Sequence, residues 1–317
     1  MKILLTGGTG FIGKKLVKYF LNKGYQINIL TRNLKGRNNK KNLKFFKWNP
    51  KQKMVDFESI KGVNVIINLS GKNIFSFWSK KNKNEILSSR IDSIKTLNKL
   101  IFKNDKLEHI ISASATGIYF KDSFNIQDEF SKTNSKSFLG KVVHNWEMEI
   151  DKISNGNIVL TKLRIGIVFS KDGGFLKKLF FLNGLRINPL IDRGNQWQSW
   201  IHIDDLVRAT QFIINNKLNG VINLVSPNPC TNHDISLKII KLNKQPFFSF
   251  SIPSFLARAP FKFIGITQFF NEIIMNNQKV FPKKLIDSGF VFKFENLKKI
   301  VTFWHLVILA NILNYII

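Results

Sequence analysis

A doubly wound parallel α/β sheet with a smaller cap is the fold class this 317-residue sequence predicts, on three observations. A short apolar strand at the chain start runs into a glycine-rich turn that opens a helix. Buried-strand patterns then alternate with helical patterns to about residue 226. The hydrophobic content of 44% is enough for a large core. Together these describe a Rossmann-type doubly wound parallel sheet with a smaller C-terminal cap domain.

The first 33 residues read as one nucleotide-binding unit. Lys2-Ile3-Leu4-Leu5-Thr6 is a strand leading into Gly7-Gly8-Thr9-Gly10-Phe11-Ile12-Gly13, and the helix behind it carries Leu16, Val17 and Phe20 at helical spacing. Glycine at 7 and 10 lets backbone N–H groups approach a pyrophosphate. Glycine at 13 lets the helix sit close on the strand, and the helix N-terminus adds partial positive charge. A second strand ends at Thr31-Arg32, where an NAD site wants a carboxylate for the ribose 2′-hydroxyl. Residues 26 to 38 contain no acid. Arg32 stands in its place with Lys35 and Arg37 behind it, which favours NADP(H) over NAD(H). The alternative is ordinary loop cations in a cation-rich chain.

Val63 to Gly71 reads as a buried strand entering a loop. Glu85 to Phe102 is a helix with Ile86, Ile91, Ile94 and Leu97 on its apolar side. His109 to Ser114 is the next strand, followed by an irregular loop to about Ser137, a helix over 138–153 and a strand over 158–169. A strand at 200–203, a helix at 206–215 and a strand at 221–225 return the chain to the same sheet. Asp204 or Asp205 caps that helix, a structural role. The nucleotide-binding domain is expected over 1–172, rejoined by 197–226. Residues 173–196 and 227–300 form a cap over the strand C-termini, where ligands of such sheets bind, and 301–317 is an apolar tail.

The formal charge of +29 and pI near 10.2 raise nucleic acid as a partner. The lysine excess, however, is spread along the chain with asparagine, isoleucine and phenylalanine, as AT-rich codons produce, and no aromatic-rich nucleic-acid motif accompanies it. No specific nucleic-acid binding is expected. One cysteine, Cys230, excludes an internal disulfide and fits a reducing compartment. The five histidines form no ligand-spaced cluster, so no metal is expected. A strand beginning almost at Met1 leaves no room for a signal peptide, and a cytoplasmic protein is expected. Ile300 to Ile317 is uncharged and barely long enough to span a bilayer. His305, Asn311 and Asn314 favour a terminal helix packed on the protein, with a tail anchor as the alternative.

Further strings carry a resemblance. Ile111-Ser112-Ala113-Ser114-Ala115, Arg164-Ile165-Gly166-Ile167-Val168 and Trp200-Ile201-His202-Ile203-Asp204-Asp205, taken with the glycine loop, resemble an extended short-chain dehydrogenase/reductase. Asn68-Leu69-Ser70-Gly71, Ser89-Arg90-Ile91, Asp172-Gly173-Gly174, Gly194-Asn195-Gln196-Trp197 and Gln278-Lys279-Val280-Phe281-Pro282 resemble its atypical NADP-binding "epimerase family" branch, which carries its own C-terminal domain. Some members of that branch have been labelled cell-division inhibitors. The resemblance covers residues 1 to about 300 and implies NADP(H) binding. The expected cofactor set is Gly7, Gly10, Phe11, Ile12, Gly13, Thr31, Arg32, Leu69, Ser70, Gly71 and Ser112. Two departures stand out: Lys72 replaces an acid usual to the branch, and Phe77 replaces an arginine before Trp78, removing one possible cofactor contact.

Ordinary members of the superfamily use Tyr-x-x-x-Lys at the helix after the fifth strand, where the lysine lowers the tyrosine pKa. Here that helix reads Phe138-Leu139-Gly140-Lys141-Val142-Val143, and neither register supplies a proton carrier. Tyr19 with Lys23 matches the spacing, but on the helix behind the phosphate loop. Ser114, with Thr116, and Tyr119, with Lys141 as the nearest cation, are the candidate catalytic substitutes, against ordinary structural roles for each. His202 with Asp204 reads as structural. The leading expectation is an NADP(H)-dependent oxidoreductase or epimerase-like enzyme acting on an unidentified small hydroxyl, carbonyl or nucleotide-sugar-like substrate. The alternative is a noncatalytic NADP(H)-binding sensor.

Overall fold

The computed structural model describes residues 1–153, 157–170, 173–174, 187–243 and 248–300. The chain divides into two units. Unit 1 comprises Met1–Ile118, Thr133–Ile165 and Val207–Ile222; unit 2 comprises Tyr119–Lys132, Gly166–Leu206 and the described residues from Asn223 on.

The main sheet is built from β1 (Lys2–Thr6), β2 (Gln26–Thr31), β3 (Leu43–Asn49), β4 (Met54–Val55), β5 (Val65–Asn68), β6 (His109–Ala115), β7 (Val159–Ile165) and β8 (Gly220–Leu224), in the order β8-β7-β6-β5-β1-β2-β3-β4. The pairs β7–β6, β6–β5, β5–β1, β1–β2 and β2–β3 are parallel, and β4 runs antiparallel on β3. This is the doubly wound sheet the sequence predicts. Its strand order reverses between β1 and β5, which places the ligand crevice beyond the C-terminal ends of those two strands.

Helices α1 (Phe11–Asn22), α2 (Lys80–Ile101), α3 (Phe138–Asp151) and α4 (Ile203–Asn215) connect the strands. On α2, Ile94, Leu97, Leu100 and Ile101 form the stripe that packs with Leu4, Ile66, Ile110 and Trp146 in the core. Each such side chain contributes roughly 1.5–3 kcal/mol of burial. Helix α2 begins five residues earlier than its apolar spacing predicts, because the Ser79 hydroxyl caps it by accepting from Asn82 N at 3.2 Å. Ser137 caps α3 in the same way through Gly140 N at 3.0 Å.

Two differences from the expected elements have clear causes. The strand expected over 158–169 breaks at Gly166, where a Cβ would stand 2.5 Å from Ser199 O. Its second half, Ile167–Ser170, pairs with Trp200–His202 in a separate three-stranded sheet rather than returning the latter to the main one. Within the expected irregular loop, Asp122–Gln127 is a strand paired in parallel with Gln278–Val280 in unit 2. The core of unit 2 includes Phe169 stacked on Trp200 at 5.0 Å between ring centroids. Expectations for the 301–317 tail and for residues 175–186 lie outside the described residues. Among the described residues, no helix is long and apolar enough to cross a membrane.

Candidate functional site

A buried polar row crosses three neighbouring strands of unit 1. Register places Thr6, Asn68 and Ser112 side by side on β1, β5 and β6. Thr6 Oγ1 donates to Asn68 Oδ1 at 2.6 Å, and Asn68 Nδ2 donates to Ser112 Oγ at 3.2 Å. Leu69 N and Ser70 N then return to Thr6 Oγ1 and Asn68 Oδ1, so the row also sets where the loop after β5 departs. Ser112, expected at the cofactor, thus has its hydroxyl inside this row.

The glycine loop leaves no room for a side chain at Gly7 or Gly13. Gly7 has φ +68°, and a Cβ there would lie 2.9 Å from Leu69 O; one at Gly13 would lie 2.2 Å from Gly7 O. Gly10 N donates to Gly7 O at 2.9 Å and closes the turn. No side chain caps the start of α1, and its first turn holds no acid, so its free N–H groups and dipole remain available to an anion. Phe11 and Ile12 are half-buried, and Gly10 is exposed at the turn. Thr31 is buried at the end of β2, and Arg32, the next residue, is exposed.

The loop carrying Leu69, Ser70 and Gly71 is braced by Arg90 of α2, a residue to which the sequence alone assigns no role. Its guanidinium lies 3.1 Å from where a Gly71 Cβ would be, donates to Ile86 O at 2.7 Å and Lys72 O at 3.2 Å, and sits 5.0 Å from the Trp146 ring centroid. Burial pulls its pKa down to about 10, and no described acid pairs with it. A guanidinium therefore stands beside this loop, although Phe77 occupies the position where the resemblance implies one. The other departure, Lys72, is accommodated by Asn82 at 2.6 Å and by an ion pair with Glu85. The Lys72 hydrogen bond and charge hold the Glu85 carboxyl below its ordinary range.

At the end of β6, Ser114 is 3% exposed and donates to Glu147 Oε1 at 2.5 Å. Arg164 of β7 clamps the same carboxylate through Nε at 2.9 Å and Nη2 at 2.8 Å. Burial alone would push the Glu147 carboxyl up, but the Arg164 guanidinium and then the Ser114 hydroxyl outweigh it and hold the group below the usual carboxylate range. Tyr119 belongs to unit 2, where it is 2% exposed. Its hydroxyl donates to Asn223 Oδ1 at 2.7 Å, and its carbonyl accepts from Gln278 Nε2 at 2.8 Å. Lys141, the cation suggested for it, is exposed on α3 of unit 1. At the positions of the superfamily's acid/base pair, Phe138 packs edge-on against Trp78 at 4.8 Å, and Val142 and Val143 are buried.

The remaining candidates make contacts within their own units. Tyr19 reaches Gln211 through its hydroxyl, with Lys23 Nζ 5.9 Å from its ring centroid. Asp205 is fully buried and accepts from Lys293 N at 2.9 Å and Phe294 N at 2.7 Å, tying a distant segment of unit 2 rather than serving only as a cap. His202 packs on Phe294 at 3.9 Å between ring centroids, with the Asp204 carboxylate 3.8 Å from Nδ1.

Residues 3–224 match the NAD dependent epimerase/dehydratase family. The chain belongs to that family. It is 32% identical over 303 residues to "Epimerase family protein YfhF" of Bacillus subtilis, covering 94% of this chain and 96% of that one. It is likewise 32% identical over 297 residues to "Epimerase family protein SAR0825" of Staphylococcus aureus, covering 93% and 96%. Among solved structures, the human epimerase family protein SDR39U1 (isoform 2) with NADPH shares the fold at TM-score 0.79 and 22% identity, covering 95% of this chain and 98% of that one. A nucleoside-diphosphate sugar epimerase from Corynebacterium glutamicum matches at TM-score 0.73 and 24% identity, covering 95% of this chain and 57% of that one. With the family's fold come its defining features: an extended short-chain dehydrogenase/reductase architecture and a nicotinamide dinucleotide site.

Proposed function

We propose that this epimerase-family chain binds NADP(H) in unit 1 and uses it in an oxidoreductase-like reaction on a small hydroxyl- or carbonyl-bearing substrate. The observation that carries the reading is the cradle itself. Its two closest glycine contacts are ones a Cβ would fill, and it is followed at the end of β2 by exposed Arg32 with no acid nearby. The glycine turn and the start of α1 would hold the pyrophosphate, Arg32 the 2′-phosphate, and the Leu69–Gly71 loop, braced by Arg90, the rest of the dinucleotide. When bound, the nicotinamide supplies or accepts a hydride. The NADPH held by the human protein of the same fold supports the coenzyme, and the nucleoside-diphosphate sugar epimerase suggests nucleotide sugars as substrates to try.

A second reading, a noncatalytic NADP(H)-binding regulatory protein, is favoured by one observation. Both candidate hydroxyls, Ser114 and Tyr119, donate to internal acceptors. Calorimetric titration with NADPH and NADH tests coenzyme binding. NADPH should bind more tightly, and Arg32→Ala should weaken NADPH by about 10- to 100-fold, the worth of a charged hydrogen bond, while leaving NADH unchanged. Equal loss for both coenzymes, or no heat with either, overturns the assignment. A panel of aldehydes, ketones and nucleotide sugars then separates the readings: NADPH consumption with any of them selects the enzyme, and tight binding without turnover selects the regulator.

A further inference from the structure

The stretch from Phe248 to Asn271 contains no acid, and helix Ser254–Phe263 within it has no buried residue. Its start is tied to unit 2 by Asp192, whose carboxylate accepts from Ser254 N at 2.8 Å. Beyond that anchor the helix presents an apolar face that no described residue covers: Phe255 is 72% exposed, Leu256 54%, Phe263 93% and, just past its end, Ile264 51%. At about 100° per residue, Phe255, Ala259, Phe263 and Leu256 fall in one arc of roughly 100°, and Arg258 and Lys262 border that arc on one side.

We propose that this face docks on an anionic lipid surface, with Phe255, Leu256 and Phe263 entering the headgroup–acyl boundary and Arg258 and Lys262 pairing with lipid phosphates. The pattern is that of an interfacial amphipathic helix: bulky apolar side chains on one side, cations at the border, and stems long enough to keep the charges among the headgroups. Charge decides between occupants. A second copy of the chain meeting this face symmetrically would set Arg258 and Lys262 against their own equivalents, and each chain carries +29. A negatively charged bilayer is attracted by the same cations. The inference is independent of the coenzyme assignment.

Sedimentation of the full chain with vesicles tests it, using phosphatidylcholine alone and phosphatidylcholine with about 30% phosphatidylglycerol. Binding is expected to the anionic vesicles only. It should fall roughly tenfold or more in the Phe255→Ser/Phe263→Ser double variant and likewise in Arg258→Glu/Lys262→Glu. Circular dichroism and thermal unfolding of each variant report that the fold is kept. A Leu306→Asp/Leu309→Asp variant of the same chain should still bind. Three outcomes overturn the proposal: no binding to anionic vesicles, binding kept in both helix variants, which assigns it to the tail or to net charge, or a dimer that the phenylalanine variant converts to monomer.

Discussion

Arg90 shows how one side chain can complete a loop without any acid to balance it. Its guanidinium is sandwiched between Gly71 and Trp146 and caps the Ile86 and Lys72 carbonyls, which restrains the Leu69–Gly71 loop. Nη1 alone makes both carbonyl contacts, so what a lysine lacks here is the flat guanidinium that lies against Trp146 and Gly71. Arg90→Lys should therefore lose nearly as much as Arg90→Gln, each weakening NADPH by about tenfold while circular dichroism stays unchanged. Full recovery of affinity by the lysine would show that charge alone matters at this position. The role was unreadable from the string Ser89-Arg90-Ile91, because what faces Arg90 is a glycine 19 residues earlier and a tryptophan 56 residues later.

Between β6 and β7 the sheet holds a titratable group in a form that acid must disrupt. Thr161 donates its hydroxyl proton to Leu218 O, so at the 2.7 Å contact between His109 Nε2 and Thr161 Oγ1 the histidine is the donor. Nδ1 is then the bare nitrogen, buried without a partner. Burial, reinforced by Lys217, lowers the His109 pKa from 6.5 to about 4. The unfolded chain therefore binds a proton that the folded one refuses as pH falls from about 6.5 towards 4, and stability drops across that window by roughly 3 kcal/mol. Urea unfolding at a series of pH values should show the slope, and His109→Leu should flatten it. At this scale much was legible. The glycine turn, the strands at 2–6 and 109–114 and the helix at 138 follow from local periodicity. Strand β3 was not, because lysines at 44 and 47 interrupt its apolar residues. The strand at 122–127 was not, because its partner lies more than 150 residues on. Nor could spacing show that the Ser114 proton goes to a carboxylate 33 residues later.

Across the whole molecule, a net charge of +29 means that many polyanions will adhere at low ionic strength, so coenzyme binding must be separated from simple attraction. A ligand seated in the cradle stabilises the native state alone. NADPH at a hundredfold excess over its Kd should add about 2.7 kcal/mol. The corresponding rise in Tm should persist in part at 0.5 M salt, where a shift due to loose surface contact would vanish; that comparison, by scanning calorimetry, checks it.

The clamp on Glu147 also bears on how the protein meets reactive small molecules. Fluorophosphonates and sulfonyl fluorides label serines whose oxygen a neighbouring base has sharpened for attack. Ser114 has a carboxylate at its side, yet Arg164 has already drawn off that carboxylate's basicity and the residue is buried. In a proteome surveyed with such electrophiles this serine will stay dark, and silence there says nothing about whether the coenzyme is in use.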